Sequence, residues 1–451
     1  MQKSATSDSL TAQVNSLFAE WDRPDAPGAA IAIIQNGETV YKQGYGMANL
    51  EYDIPISPST IFHVASLSKQ FTSFAINLLA LEGKLSLDDE IQKHFPEFGD
   101  FGKPITLRHL RHHTSGLRDQ WDLLALAGWR MEDVITEQDI LDIAWMQREL
   151  NFEPGSEYLY CNTGYTLLAV IVKRVSGLTL REFTQERIFD RLGMTNTHFH
   201  DDHRMIVPNR AYSYAPREDG FEHRILSFAN VGTTSLFTTV EDLAKWDQNF
   251  YEPVVGGTEA VELLHDRFVL NDGTTIAYAA GLSIGDYRGL KRVDHSGADA
   301  GYRAHILRFP GEQFTVTVLC NRGDANPGTL AYKIADIYLA DRLGPVPVEQ
   351  PATPNPPKAV IALESSQLAE YTGDYFSDEL TAIFAFTVRE GKLILRVRKG
   401  ELVLDASDKL DTFECEAGKI TFLRTRSKRI NGFTVSTGRV RGLRFRKTTG
   451  K

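Results

Sequence analysis

Three short groups of residues in this 451-residue chain have the types and order needed for acyl transfer by a serine: Ser66-Leu67-Ser68-Lys69, Tyr160-Cys161-Asn162 and His295-Ser296-Gly297. A serine hydroxyl is a weak nucleophile at neutral pH and needs a base beside it. Lys69 follows Ser66 by three residues, on the same face of a helix, and a lysine taken out of water loses basicity until it can accept a proton. In a first helical turn, Ser66 also lies near unpaired backbone N–H groups and the positive end of the helix dipole. Tyr160 supplies a second proton carrier, a phenol between Ser66 and the leaving group. Asn162 is read as an amide that holds Lys69 and donates to a substrate carbonyl. The glycine at 297 lets a strand edge come close to a substrate, so that the N–H groups of Ser66 and Ala298 form an oxyanion hole. Singly, each signal is weak: Ser-x-x-Lys recurs by chance about once in a chain of this length. Tyr160 alone reads as a half-buried aromatic, and His295 alone as a structural histidine.

The elements that must bring these groups together are legible in outline. Ser9 to Trp21 has helical apolar spacing, and Ala29–Ile34 and Thr39–Tyr41 flank Asn36-Gly37, the preferred two-residue hairpin turn. Ser66 to Leu81 reads as one long buried helix ended near Gly83. Gly301 to Phe309 and Phe314 to Cys320 read as paired strands before a helix at Leu330 to Ala340. Strands at both ends with helices between them predict an α+β domain whose terminal strands share a sheet. Prolines crowd the stretch from Gly344 to Lys358, a semi-rigid linker. Beyond it the period falls to two, as in Leu393, Leu395 and Val397, and seven or eight short antiparallel strands predict a small barrel or sandwich. The predicted domains are therefore 1–344, a linker at 345–358, and an all-β domain at 359–451.

Composition narrows the function classes. With 42% hydrophobic and 24% charged residues the chain is globular, and no apolar run reaches the 18 or so residues of a membrane span. Cys161, Cys320 and Cys415 are scattered and odd in number, against a disulfide framework or a zinc knuckle. Met1 to Leu10 lacks the apolar segment of a secretory signal; with the unpaired cysteine pattern a reducing, cytoplasmic location is expected, or a periplasmic or secreted one where a leader has been removed. The net charge of −10 is uneven: from Lys358 onward there are 18 Lys and Arg against 12 Asp and Glu. Basic residues alternating along strands are read as a solvated face attracted to the acidic remainder, with no nucleic-acid partner.

On these motifs the chain resembles the serine β-lactamase-related family, in the branch of class C β-lactamases, D-stereospecific aminopeptidases, D-alanyl-D-alanine carboxypeptidases and family VIII esterases. The resemblance runs from Val64-Ala65-Ser66-Leu67-Ser68-Lys69 through His113-Thr114-Ser115-Gly116-Leu117 and Tyr160-Cys161-Asn162-Thr163-Gly164-Tyr165 to His295-Ser296-Gly297 and Gly301-Tyr302-Arg303, covering about residues 10 to 340. It implies a β-lactamase/transpeptidase-like domain, Ser66 as nucleophile, Lys69 and Tyr160 as the acid/base pair, and Asn162, His295, Gly297 and Ala298 lining the substrate. It implies no cofactor and no metal. His113 to Leu117 is read as a turn bracing the site. The tail resembles the lipocalin-like barrel of some relatives, which caps the cleft or joins subunits and implies a homo-oligomer.

In place of the family's usual Lys-Thr-Gly stands His295-Ser296-Gly297. A lysine there gives a fixed charge for a substrate carboxylate, whereas histidine with a reference pKa of about 6.5 is mostly neutral at pH 7. Arg303 is a candidate replacement. The expected substrates are accordingly small esters or D-amino-acid amides and short D-peptides, ahead of β-lactams. Two rival readings compete. His198-Phe199-His200-Asp201-Asp202-His203 spells a His-x-His-x-Asp-His zinc-hydrolase pattern, although it follows a Leu-Gly-Met-Thr phrase that leads into a surface loop in serine relatives. A non-catalytic binding module is the other, against which the joint presence of Ser66, Lys69, Tyr160 and Asn162 speaks.

Overall fold

The computed structural model describes residues 2–346, 361, 363–398 and 400–448. A first helix, α1 (Gln2–Phe18), leads into the hairpin of β1 (Ala29–Gln35) and β2 (Glu38–Tyr45). Asn36 and Gly37 have φ of 52° and 78°, the left-handed pair that a type I′ turn requires. The sheet is completed by the chain's later strands β3 (Ser283–Tyr287), β4 (Leu290–Asp299), β5 (Tyr302–Phe309) and β6 (Phe314–Cys320). Its order is β3-β4-β5-β6-β1-β2, antiparallel throughout. As the sequence predicts, the terminal strands share one sheet, with Ala29 opposite both Cys320 and Tyr45.

Alternate residues of β1 serve two cores. Ile31 and Ile33 pack with Val14 and Phe18 of α1 and with Leu330 and Ile334 of α6 (Pro327–Tyr338). Ala30, Ala32 and Ile34 join the larger cluster around Phe71 and Phe74 of α2 (Ser68–Leu81). Every residue of α2 from Ser68 to Leu79 is buried, so this helix runs through the domain's centre. The domain also contains α3 (Gln120–Leu126), α4 (Glu137–Trp145) and α5 (Asn162–Ser176).

The tail is a closed barrel of eight strands, β7 (Gly373–Ser377), β8 (Ala382–Arg389), β9 (Lys392–Val397), β10 (Gly400–Ala406), β11 (Thr412–Cys415), β12 (Gly418–Arg424), β13 (Ile430–Ser436) and β14 (Leu443–Lys447). An eight-stranded barrel is just wide enough for side chains to fill. Here rings fill it: Tyr375, Phe384, Phe386, Phe413, Phe422, Phe433 and Phe445 are buried in one cluster. That cluster continues into the first domain through Leu123 and Leu124 of α3 and Ile140 and Ile143 of α4. At its rim, Arg118 Nη1 donates to Glu379 Oε2 at 2.7 Å, with side-chain exposures of 0% and 7%. A continuous apolar core and a buried ion pair thus dock the barrel on the α+β domain. Most of the predicted linker, from residue 347 to 358, lies outside the described residues. Among the described residues no helix is long and apolar enough to cross a membrane, and Cys161, Cys320 and Cys415 are unpaired.

Candidate active site

Ser66 lies in a short 3-10 turn, Ala65–Leu67, that precedes α2, whereas the sequence predicts it within one helix. Ala65 has φ of 47°, a left-handed conformation that costs an alanine about 1 kcal/mol. The turn is held by Ser68, whose Oγ donates to Ala65 O at 2.5 Å and accepts from Leu236 N at 3.0 Å. Strand β4 crosses directly over it: a Cβ at Gly297 would stand 2.2 Å from Val64 O, so only glycine allows this approach.

Lys69, one helical turn on, is wholly buried. Its Nζ makes three hydrogen bonds, to Ser66 Oγ (2.9 Å), Asn162 Oδ1 (2.9 Å) and Thr233 O (2.7 Å). Burial pulls its pKa down to about 7, opposed by the charges of Asp299 and Asp119 and assisted by that of Arg439. Tyr160 hydrogen-bonds Ser66, and burial holds its phenol well above the usual range, hence protonated. The Lys69 ammonium is 4.8 Å from the Tyr160 ring centroid. Asn162 opens α5; its Oδ1 also accepts from Thr233 Oγ1 at 2.6 Å, and its Nδ2 donates to Asp119 Oδ2 at 2.8 Å. The amide therefore clamps Lys69 between the two segments.

Ser66, Tyr160 and Asn162 line a cavity of about 770 Å³ with Trp121, Tyr158, Tyr278, Arg439 and residues 292 and 294–299, and Lys69 lies behind its wall. Strand β3 ends opposite Asp294, so from His295 on, β4 turns an edge to this cavity, and a strand edge offers N–H and C=O groups for pairing. His295 is buried, with Nε2 3.1 Å from Tyr278 Oη and Nδ1 2.7 Å from Ser296 O. Burial, with the Lys69 charge second, lowers its pKa to about 3. The ring is neutral at pH 7, as the substitution for lysine predicts. Asp299 is bonded by Thr234 Oγ1, and burial lifts its carboxyl to about 6.

The beta-lactamase family model matches residues 15–339, which span all of this geometry except Arg439. The chain belongs to the beta-lactamase family. Among relatives of this beta-lactamase-family protein, penicillin-binding protein 4* of Bacillus subtilis (strain 168) is 30% identical over 390 residues, 82% of this chain and 84% of that one. A D-aminopeptidase of Gluconobacter oxydans (strain 621H) is 29% identical over 78% of this chain; the match spans 66% of the relative's own length. The octameric penicillin-binding protein homologue from Pyrococcus abyssi has the same fold over 99% of this chain and 100% of its own, with a TM-score of 0.63 and 24% identity.

Not every predicted residue of the beta-lactamase-family protein reaches the cavity. Arg303 turns away: its Nη1 donates to the carbonyls of Ala300 (2.9 Å) and Tyr302 (2.7 Å), and its side chain borders a different depression with Met131 and Arg224. Nor does the 198–203 segment converge. Asp201 and Asp202 pair with Arg181 and Arg204, and His198 and His200 approach each other at 3.5 Å. No group of three or more described His, Cys, Asp or Glu residues could hold a metal ion. His113 braces the site: its Nδ1 accepts from Cys161 N at 3.0 Å and its ring centroid lies 4.1 Å from that of Tyr160. Asp119, Thr233, Tyr278, Asp299 and Arg439 carry no motif of their own and emerge only from the fold.

Proposed function

We propose that this protein is a serine hydrolase that opens small amide, peptide or ester bonds, preferentially those of D-amino-acid derivatives, through an acyl-enzyme on Ser66. The observation that carries this reading is the buried Lys69, 2.9 Å from Ser66 Oγ and depressed toward neutrality. A neutral Lys69 takes the Ser66 proton as Oγ attacks the substrate carbonyl carbon. The carbonyl oxygen becomes an oxyanion received by the N–H groups of Ser66 and Ala298. Tyr160, joined to Ser66 and near Lys69, passes the proton to the leaving nitrogen or oxygen as that bond breaks, and water then cleaves the ester by the reverse path. Supporting the D-amino-acid preference are the D-aminopeptidase relatives.

The domain limits 1–344 and 359–451 and a lipocalin-like character for the barrel belong to the same proposal, as does a homo-oligomer, supported by the octameric Pyrococcus homologue. The test is a side-by-side assay of nitrophenyl acetate and butyrate, D-alanine p-nitroanilide and nitrocefin, with fluorophosphonate labelling read by peptide mass. The short ester or the D-anilide should exceed nitrocefin in kcat/KM, and Ser66→Ala should abolish both turnover and label. A clear preference for nitrocefin, or labelling that survives in Ser66→Ala, refutes the reading.

A further inference from the structure

One wall of the cavity comes from the barrel. Arg439, in the loop between β13 and β14, borders the same space as Ser66, Tyr160 and His295. The loop is pinned on both sides of it. Thr437 Oγ1 donates to Asp122 Oδ2, as does Arg439 N at 3.0 Å; Asn151 Nδ2 donates to Arg439 O at 2.9 Å, and Arg441 N to Asn151 Oδ1 at 2.8 Å. Arg118 Nη2 adds a bond to Arg441 O at 3.1 Å. The backbone carrying the guanidinium is thus fixed to the hydrolase domain.

The guanidinium itself is left available. It lies 5.1 Å from the Tyr160 ring centroid and its side chain is 40% exposed. Its carboxylate neighbour, Asp119 Oδ2, is 3.8 Å away and already accepts from Asn162 N (2.6 Å) and Nδ2 (2.8 Å). Among the described residues no side-chain hydrogen bond occupies its N–H fork. Arg292, the other guanidinium on the cavity wall, is engaged by Asp294. A guanidinium is a permanent cation whose planar fork fits a carboxylate with two parallel hydrogen bonds.

We propose that Arg439, a residue of the barrel, is the carboxylate receptor of the active site and selects substrates whose leaving group ends in a free carboxylate. The proposal rests on the serine-hydrolase reading above, in which Tyr160 delivers the proton to the leaving group. Arg439 stands against that same ring, so a charge it binds lies beyond the scissile bond. The barrel is then part of the specificity machinery, and a D-dipeptide with a free C-terminus is the class of substrate that fits.

D-alanyl-D-alanine and D-alanyl-D-alanine amide share the scissile bond and differ in the terminal carboxylate. The full-length protein should favour the free acid at least tenfold in kcat/KM, chiefly through KM. Arg439→Ala should bring the ratio to about one, and Arg439→Lys should restore part of it. The same pair titrated calorimetrically into Ser66→Ala should show the preference without turnover, and Ser66→Ala combined with Arg439→Ala should lose it. An unchanged ratio in Arg439→Ala, or titrations in which the acid binds no better than the amide or neither binds, overturns the proposal. Failure of fluorophosphonate to label Ser66 overturns the serine-hydrolase reading instead.

Discussion

If Lys69 is the base, acylation must follow its titration. Its burial lowers the pKa to about 7, a displacement from the ordinary value near 10.4 worth about 5 kcal/mol. Such a base is about 3% neutral at pH 5.5 and about 97% neutral at pH 8.5, so kcat/KM should rise about 30-fold across that range and then level. A lysine left at its solution value would give a rise of about 1,000-fold with no plateau. The assay is kcat/KM for D-alanine p-nitroanilide from pH 4.5 to 9.5, which reports the free enzyme, with the fluorophosphonate rate constant as a check independent of the leaving group. Two substitutions move the limb in opposite directions. Asp299 is the largest charge holding the proton on Lys69, so Asp299→Asn shifts the limb to lower pH. Arg439 repels that proton, so Arg439→Ala shifts it to higher pH. A limb still climbing tenfold per unit above pH 9, or both variants shifting it the same way, refutes the assignment of Lys69 as base.

Three further outcomes follow from the packing. Gly297→Ala forces a methyl group to 2.2 Å from Val64 O; the β4 edge must retreat from Ser66, and kcat should fall at least a hundredfold while far-UV circular dichroism stays native. Glu379→Ala strips the buried Arg118 of the nearer and more buried of its two carboxylate partners, leaving Glu149 at 3.9 Å, which should cost about 3 kcal/mol, measured as a lower urea midpoint with the barrel and hydrolase transitions separating. The protein should also lose stability in acid. His63 and His295 are fully buried, with burial lowering each pKa to about 3, whereas the unfolded chain takes up their protons near 6.5. Stability is therefore full above pH 6.5 and falls with pH between 6.5 and 3, each histidine removing about 2 kcal/mol at pH 5; equal urea midpoints at pH 7.5 and pH 5 would contradict this.

Local rules carried the sequence reading where the determining contact is local. Asn36-Gly37 specifies its turn through backbone preference alone, and Ser66 and Lys69 sit three residues apart, a spacing that any helical geometry brings to one face. The barrel's alternation survives because its interior is filled mainly by aromatic and aliphatic side chains. What failed to show is set by contacts between distant segments. The separate turn at Ala65–Leu67 exists because Ser68 and the crossing β4 hold Ala65 left-handed, and no spacing within residues 64–81 encodes a strand near residue 297. Loops between the motifs, such as 119–149 and 218–230, are where a sequence reading would look for pocket walls. Trp121 comes from the first stretch and none from the second, whose place is taken by residues 276–278 and Arg439. Arg303 has the right charge near the right motif, yet it bonds to carbonyls beside it, a choice between two directions that one-dimensional spacing leaves open.

The location of the cation has its own electrostatic logic. His295 is packed against Tyr278, and the charge of Lys69 is already the second-largest influence on its titration. A permanent charge at 295 would repel the Lys69 ammonium at short range with little solvent between them. It would lower the Lys69 pKa further. Arg439 also repels Lys69, but Asp119 stands 3.8 Å from it and attracts both cations. Placing the charge on the barrel beside Asp119 therefore loosens the link between two tasks that a lysine at 295 would combine: the proposed holding of a substrate's anion and the setting of the Lys69 pKa. The buried Arg118–Glu379 pair and the loop bonds to Asp122 and Asn151 are what make this separation workable, because a cation on a loosely tethered domain would have no fixed distance from Ser66.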